Sequence, residues 1–151
     1  MENDFKDDAI LIIDFAAAHR QQLVSALTGS GMIVLGAGSS LEAEQTIQER
    51  SFSVVVVNMV SPDQSELELL YKAKANSPAT ELIVLTSVPA TESAFQSLDL
   101  DIFGFIQKPF NLPGFVSLVD RALKKSRDYR ALSDAETRYR QFYDGAIDGV
   151  V

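Results

Sequence analysis

Short apolar runs recur along most of the chain, and segments of helical period separate them. Five of these runs predict strands: residues 10–13, 32–35, 54–57, 82–85 and 103–106. The first four are apolar on both faces and rich in leucine or β-branched residues, which is typical of parallel sheets covered by helices on both sides. The fifth is weaker because Gly104 interrupts it.

Between and after the strands, apolar residues recur three or four positions apart, which predicts helices. These helices span residues 19–27, 41–49, 66–75, 91–98 and 112–125. Ser39 or Ser40 can cap the second of them. Five alternations of strand and helix, joined by right-handed crossovers, predict a doubly wound α/β fold with a five-stranded parallel sheet. The functional crevice of such a sheet lies beyond the carboxyl ends of its strands.

Composition narrows the class of protein. The 151 residues, 46% of them hydrophobic, suffice for one domain and a short extension. The absence of cysteine excludes disulfides and thiolate chemistry. A net charge of -8 argues against nucleic-acid binding. The acidic amino terminus is unlike a secretory signal, and no apolar run approaches the roughly 18 residues of a membrane span, so we expect a cytoplasmic segment without membrane contact.

Polar side chains follow four of the predicted strands. Asp14 follows the first, Asn58 the third, Thr86 the fourth, and Lys108 with Pro109 the fifth. Because parallel strands end at one edge of a sheet, we expect a carboxylate, an amide, a hydroxyl and an ammonium to converge there. The proline could fix the direction of the chain, since X-Pro bonds in such tight turns are often cis.

Here the sequence resembles the response-regulator receiver family of bacterial two-component signalling, over about residues 8–125. Residues 58–63 and 67–70 resemble the phosphoacceptor loop and third helix of that family, and residues 105–110 resemble its last strand and lysine-proline turn. The resemblance implies a flavodoxin-like, receiver-type (βα)5 fold, here with an extended carboxyl-terminal helix. It implies that Asp14 matches the first acid of a pair that holds Mg²⁺, that Thr86 matches the hydroxyl that contacts the phosphoryl group, and that Lys108 matches the cation that neutralises it.

Two positions depart from the family pattern. Asn58 stands where the family has the phosphoaccepting aspartate, and Phe15 stands where it has the second acid. Aspartyl phosphorylation needs a carboxylate nucleophile and a divalent ion, and Mg²⁺ favours anionic oxygen ligands. The remaining family ligand is a backbone carbonyl, here that of Val60. We therefore expect weak or no Mg²⁺ binding, no cofactor and no enzymatic activity: a pseudo-receiver that works through protein contacts.

Three further expectations concern the crevice. Asn58 is expected to form a hydrogen bond with Lys108 or Thr86 and so to hold the crevice together. Phe105 matches the aromatic switch position of the family and is expected to serve as a packing residue. His19, the single histidine of the chain, is expected on the helix surface because the sequence shows no partners for it.

The tail carries a second pattern. Apolar residues at 3-4-3 spacing predict one stripe of an exposed helix or short coiled coil: Leu132, Ala135, Tyr139 and Phe142. Ser133 and Glu136 match a capping box, which leaves open whether the helix restarts there or runs on from residue 112. Residues 135–151 resemble the helix and first strand that open a PAS sensor domain. We expect residues 126–151 to be a linker and a truncated PAS start.

The resemblance also suggests a setting for the segment. The parent would be a sensor histidine kinase or a similar regulator that carries a kinase or cyclase module outside this chain. Its partners would be signalling proteins of the same pathway, and a homodimer through the carboxyl-terminal helix is a candidate assembly.

Two alternatives remain open. One is a conventional phosphoaccepting receiver that uses another acid, with Asp63 the nearest candidate. The other is a small-molecule-binding flavodoxin-like domain. Residues 15–18, Phe-Ala-Ala-Ala, offer neither the hydroxyls nor the glycines of a flavin phosphate loop.

Overall fold

The computed structural model describes residues 8–59, 64–88, 95, 98 and 100–150, with side chains described up to residue 133 except at residues 64 and 65. Its five strands form one parallel sheet in the order β2-β1-β3-β4-β5. The strands are β1 (Ile10–Ile13), β2 (Val34–Ala37), β3 (Val54–Met59), β4 (Glu81–Thr86) and β5 (Gly104–Gln107). The predicted doubly wound five-stranded sheet is confirmed.

Within the described part of the chain, four helices accompany the strands: α1 (Ala17–Gly29), α2 (Ser40–Glu49), α3 (Gln64–Asn76) and α4 (Leu112–Val150). Ser39 caps α2, because its Oγ accepts the backbone N–H of Glu42 at 3.1 Å. The carboxylate of Glu42 in turn accepts the N–H of Gly38 at 2.7 Å, so both sides of the cap are satisfied. The helix predicted at residues 91–98 lies mostly outside the described residues.

Two strands differ from the prediction by two residues, and the ends of β4 and β5 differ by one. β2 begins two residues later than expected, because the chain first makes a turn after α1 in which Gly31 adopts a positive φ of 85°. β3 runs two residues further than expected, to Met59. Asn58 therefore lies within the strand, in register with Leu85 of β4, and not on the loop beyond it.

The sheet separates two apolar layers. Alternate residues of β1 point to opposite faces: Leu11 and Ile13 pack with residues of α2 and α3, whereas Ile10 and Ile12 pack with α1 and α4. These four side chains are at most 1% exposed. Burying a side chain of this size contributes about 1.5–3 kcal/mol to stability. The two apolar layers therefore fix the position of β1 and of the polar residues at its two ends.

A carboxylate at the amino end of the sheet holds α4 against the domain. Asp8 accepts hydrogen bonds from Arg127 Nε at 2.8 Å, from Ser53 Oγ at 3.1 Å and from Arg130 Nη2. Burial raises the pKa of Asp8, but the hydrogen bonds and charges of the two arginines outweigh it and leave the pKa lower than its ordinary value. We call this group the Asp8 clamp; it ties α4 to the sheet as far as Arg130.

Helix α4 then continues without interruption to Val150. The helix does not restart at Ser133, and the expected strand start at the end of the chain is wrong, since Gly149 and Val150 are helical. Helices propagate cooperatively and a single glycine costs only about 1 kcal/mol, so isolated glycines need not end one. The predicted stripe beyond Leu132 lies outside the described side chains. Among the described helices, none combines the length and apolar character that a membrane span requires.

Candidate functional site

Asp14 lies at the carboxyl end of β1 and is almost fully buried, with 1% of its side chain exposed. Its Oδ1 accepts the backbone N–H of Ala16 at 2.9 Å, and its Oδ2 contacts Nδ1 of His19. Its backbone carbonyl accepts a hydrogen bond from Arg20 Nη1 at 2.7 Å. Buried carboxylates are costly unless they are paired, and here each oxygen of Asp14 has a donor from the following six residues.

The prediction that His19 lies on the helix surface is wrong. Its side chain is 30% exposed, but Nδ1 points inward to the carboxylate of Asp14 instead of lying free on the helix surface. The ring of Phe110 meets the imidazole edge-on at a centroid distance of 6.4 Å. The spacing was the missed signal: His19 is the third residue of α1, five residues after Asp14, and the first turn of a helix lies next to the strand end that precedes it.

Asn58 is also placed differently from the expectation. Its side-chain amide approaches His19, with Nδ2 3.4 Å from Nδ1, instead of forming a hydrogen bond with Lys108 or Thr86. Its Oδ1 is buried and has no hydrogen-bond partner among the described residues. Because a carboxylate only accepts, the proton on Nδ1 belongs to the bond with Asp14, so Nδ1 cannot also accept from the amide. The amide of Asn58 is therefore buried with its hydrogen-bonding capacity incompletely used.

Thr86 and Lys108 complete the strand ends. The hydroxyl of Thr86 accepts the backbone N–H of Val88 at 3.0 Å, and its carbonyl accepts the N–H of Lys108 at 2.8 Å. Lys108 lines a cleft of about 300 Å³ together with His19, Gln22 and Phe110, and its ammonium forms no ion pair or hydrogen bond with a described residue. The bond from Lys108 to Pro109 is cis, as expected for this turn.

Two aromatic residues flank these polar groups. Phe15 is 48% exposed beside the end of β1 and supplies no oxygen to the crevice. Phe105 packs edge-on against Phe95 at a centroid distance of 5.4 Å and joins the apolar layer of α2 and α3. This contact agrees with its interpretation as a packing residue.

The strand ends thus bring together three of the four expected groups around His19: Asp14 and Asn58 at its Nδ1, and Lys108 across the adjoining cleft. Within the described ranges, no three histidine or acidic side chains are grouped so that they could hold a metal ion. Val60 and Asp63 lie outside the described residues. The charged groups in the described crevice are the carboxylate of Asp14, the ammonium of Lys108 and the guanidinium of Arg20 that bonds the Asp14 carbonyl, and the imidazole of His19 contacts the carboxylate.

Residues 10–120 match the family model described as response regulator receiver domain. Among curated proteins, the DNA-binding transcriptional regulator NtrC of Azospirillum brasilense is 28% identical over 123 residues, which cover 82% of this chain and 26% of the relative. The transcriptional regulatory protein ZraR of Escherichia coli O157:H7 is 26% identical over 128 residues, covering 85% of this chain and 28% of the relative. The chain spans about a quarter of the length of these relatives.

Solved structures resemble the domain as well. A response regulator receiver domain protein from Clostridium thermocellum superimposes with a TM-score of 0.69 at 26% identity, covering 79% of this chain and 96% of that protein. A chain described as adenylate cyclase from Rhodopirellula baltica superimposes with a TM-score of 0.77 at 22% identity, covering 87% of this chain and 98% of that one. At that identity the second likeness concerns the fold alone.

Proposed function

Because the chain belongs to the response regulator receiver domain family, we propose that it is a receiver domain that signals through protein contacts without accepting a phosphoryl group. The single observation that carries this proposal is the neutral side chain of Asn58. It lies in β3, where the family has its phosphoaccepting aspartate, and it is 8% exposed. An amide lacks the negative charge and the nucleophilicity that attack on phosphorus requires.

The donor set of the crevice supports the same proposal. Both oxygens of Asp14 already accept hydrogen bonds from the chain, Phe15 offers no ligand atom, and Asn58 offers one neutral oxygen. Hard divalent ions favour several anionic oxygen ligands. These residues do not fit a Mg²⁺ ion, and we propose that the domain needs no metal or other cofactor.

Helix α4 provides a route for an output. Phe115, Val119 and Leu123 bury it against the sheet. The same helix then carries the exposed Tyr129, between the two arginines of the Asp8 clamp, and the exposed Leu132 beyond them. A change in the packing of its first half is therefore carried mechanically into its second half. We propose that partners from the same signalling pathway act on the domain, and that a homodimer forms along this helix.

The parent protein is part of the proposal. NtrC and ZraR are regulators about four times as long as the matched segment, and NtrC is a DNA-binding transcriptional regulator. We propose that the present segment contributes regulation in the cytoplasm and makes no contact with nucleic acid itself, in line with its net charge of -8. A kinase, cyclase or other output activity would belong to other parts of the parent.

A second candidate function is a conventional receiver with another acceptor, and the likeness to NtrC and ZraR favours it. Its acceptor would be Asp63, which lies outside the described residues. Transfer of label from a radioactive phosphoryl donor that survives Asp14→Ala but vanishes in Asp63→Ala would support this candidate.

Beryllofluoride, a stable phosphoryl mimic, tests the proposed function directly. The protein is titrated with beryllofluoride and Mg²⁺ while the backbone resonances of Asn58, Thr86 and Lys108 are followed by NMR. We expect no saturable shift at these residues, and we expect no covalent phosphate by mass spectrometry after incubation with acetyl phosphate. A conventional receiver domain in the same buffer is the positive control. Saturable shifts or a covalent phosphate in the natural chain would contradict the proposal.

A further inference from the structure

We infer that His19 occupies the position that a divalent ion takes in a conventional receiver, so that the chain's own imidazole closes the crevice. The inference rests on the proposed function, because it explains what replaces the ion when the acidic ligands are gone. It assigns to His19 the role of a positioning residue for Asp14.

Nδ1 of His19 lies close to two side chains of the crevice. It contacts Oδ2 of Asp14 and lies 3.4 Å from Nδ2 of Asn58. These two residues match the metal-holding acid and the phosphoacceptor of the family. The ring nitrogen therefore approaches both side chains at the positions that, by the resemblance, would hold the ion.

The carboxylate of Asp14 already has partners within the chain. Its Oδ1 is held by the N–H of Ala16 and its Oδ2 by His19, while Arg20 holds its carbonyl. An ion that approached Oδ2 would have to displace the imidazole first. Since the carboxylate is 1% exposed, the displaced bond could not readily be replaced by solvent.

The local fold explains why the imidazole stays in place. His19 is in the first turn of α1, so its backbone is fixed by the helix. Phe110 contacts the ring edge-on, and the cleft on this side is lined by Gln22 and Lys108. Arg20, the next residue, packs its side chain along Gly36 and Gly38 of the neighbouring strand and loop, where a Cβ on Gly38 would meet the guanidinium at 2.6 Å. The loop between β1 and α1 is thus held from both sides.

Metal affinity in a restored acid set tests the inference. Phe15→Asp and Asn58→Asp are introduced together, and binding of Mn²⁺ alone is measured by the loss of the free Mn²⁺ signal in electron paramagnetic resonance. The same measurement is made after adding His19→Ala, or Gln21→Ala as the matched control, since Gln21 is exposed on the same helix and does not line the cleft. We expect His19→Ala to tighten Mn²⁺ binding by roughly tenfold to a hundredfold, since it removes a hydrogen bond to a charged group that competes with the ion. Gln21→Ala should leave the affinity unchanged.

Equal Mn²⁺ affinity with and without His19 would overturn the inference. Should the restored chain fail to fold, the carboxyl carbon resonance of Asp14 is measured in the natural background. It should move in His19→Ala and stay fixed in Gln21→Ala, and a fixed resonance in both variants would overturn the inference. Failure of the proposed function looks different, because it shows as phosphorylation of the unaltered chain. The two results are therefore distinguishable.

Discussion

Two aspartates flank β1, and their partners come from very different distances along the chain. Asp14, after the strand, takes its donors from residues two and five positions away. Asp8, before the strand, takes its donors from residues 45, 119 and 122 positions away. The crevice end is therefore organised locally, by the loop that enters α1. The opposite end is organised by tertiary structure, since Asp8 joins the starts of β1 and β3 to α4.

This difference indicates that the long helix α4 is attached to the domain at the Asp8 clamp and not at the crevice. Loss of a local bond at the crevice affects one loop, whereas loss of the Asp8 clamp detaches the helix from the sheet at the point where it leaves the domain. The two ends can be separated experimentally by substitutions at each.

Replacing Asp8 by alanine should have the largest effect on stability. Arg130 is 20% exposed and would lose its carboxylate partner, as would Arg127 and Ser53. Charge-assisted hydrogen bonds contribute about 1.5–3 kcal/mol, so we expect the free energy of unfolding to fall by about 2–3 kcal/mol. Urea denaturation measures the change, and amide exchange at residues 126–130 should become faster.

Asp128→Ala is the matched control for that substitution. Asp128 lies on the same turn of α4 but its side chain is exposed, so its removal should change the free energy of unfolding by less than about 0.5 kcal/mol. Equal effects of the two substitutions would show that the Asp8 clamp does not hold the helix.

The pH dependence of the Asp8 clamp should account for part of that effect. The pKa of Asp8 is lowered in the folded state, because the hydrogen bonds from Arg127 and Arg130 outweigh the opposing effect of burial. A lowered pKa contributes stability that is fully present above the ordinary value and is lost as the pH falls through the folded value. The difference in free energy of unfolding between the natural chain and Asp8→Asn should therefore be constant near neutral pH and shrink below about pH 4. A difference that grows on acidification would contradict the assignment.

The same contrast explains how much of the molecule could be predicted from sequence. The sheet, the helices that follow β1, β2, β3 and β5, and a serine cap at residue 39 or 40 follow from patterns a few residues long, and the described residues contain them, with the cap at Ser39. The partner of His19 was missed although only five positions separate it from Asp14. The spacing indicates that the two residues are neighbours, but it does not reveal which way the ring turns in the first turn of a helix. The Asp8 clamp was missed because a contact between residues 8 and 130 leaves no local pattern at all.

The smallest effects on stability are expected from removing the charge of one lysine at each end of the sheet. These two substitutions test the comparison of the crevice with the Asp8 clamp most finely. Lys108, at the crevice, has no ion pair or hydrogen bond with a described residue through its ammonium, so Lys108→Met should change the free energy of unfolding by less than about 0.5 kcal/mol. Lys125, near the opposite end, lies 3.6 Å from the carboxylate of Glu81, which is 4% exposed. Lys125→Met would leave that carboxylate unpaired and should cost about 1 kcal/mol. Urea denaturation measures the loss in free energy of unfolding for both variants. A larger loss for Lys108→Met would mean that the crevice lysine holds the fold together. That result would contradict the conclusion that the crevice is organised by its own loop.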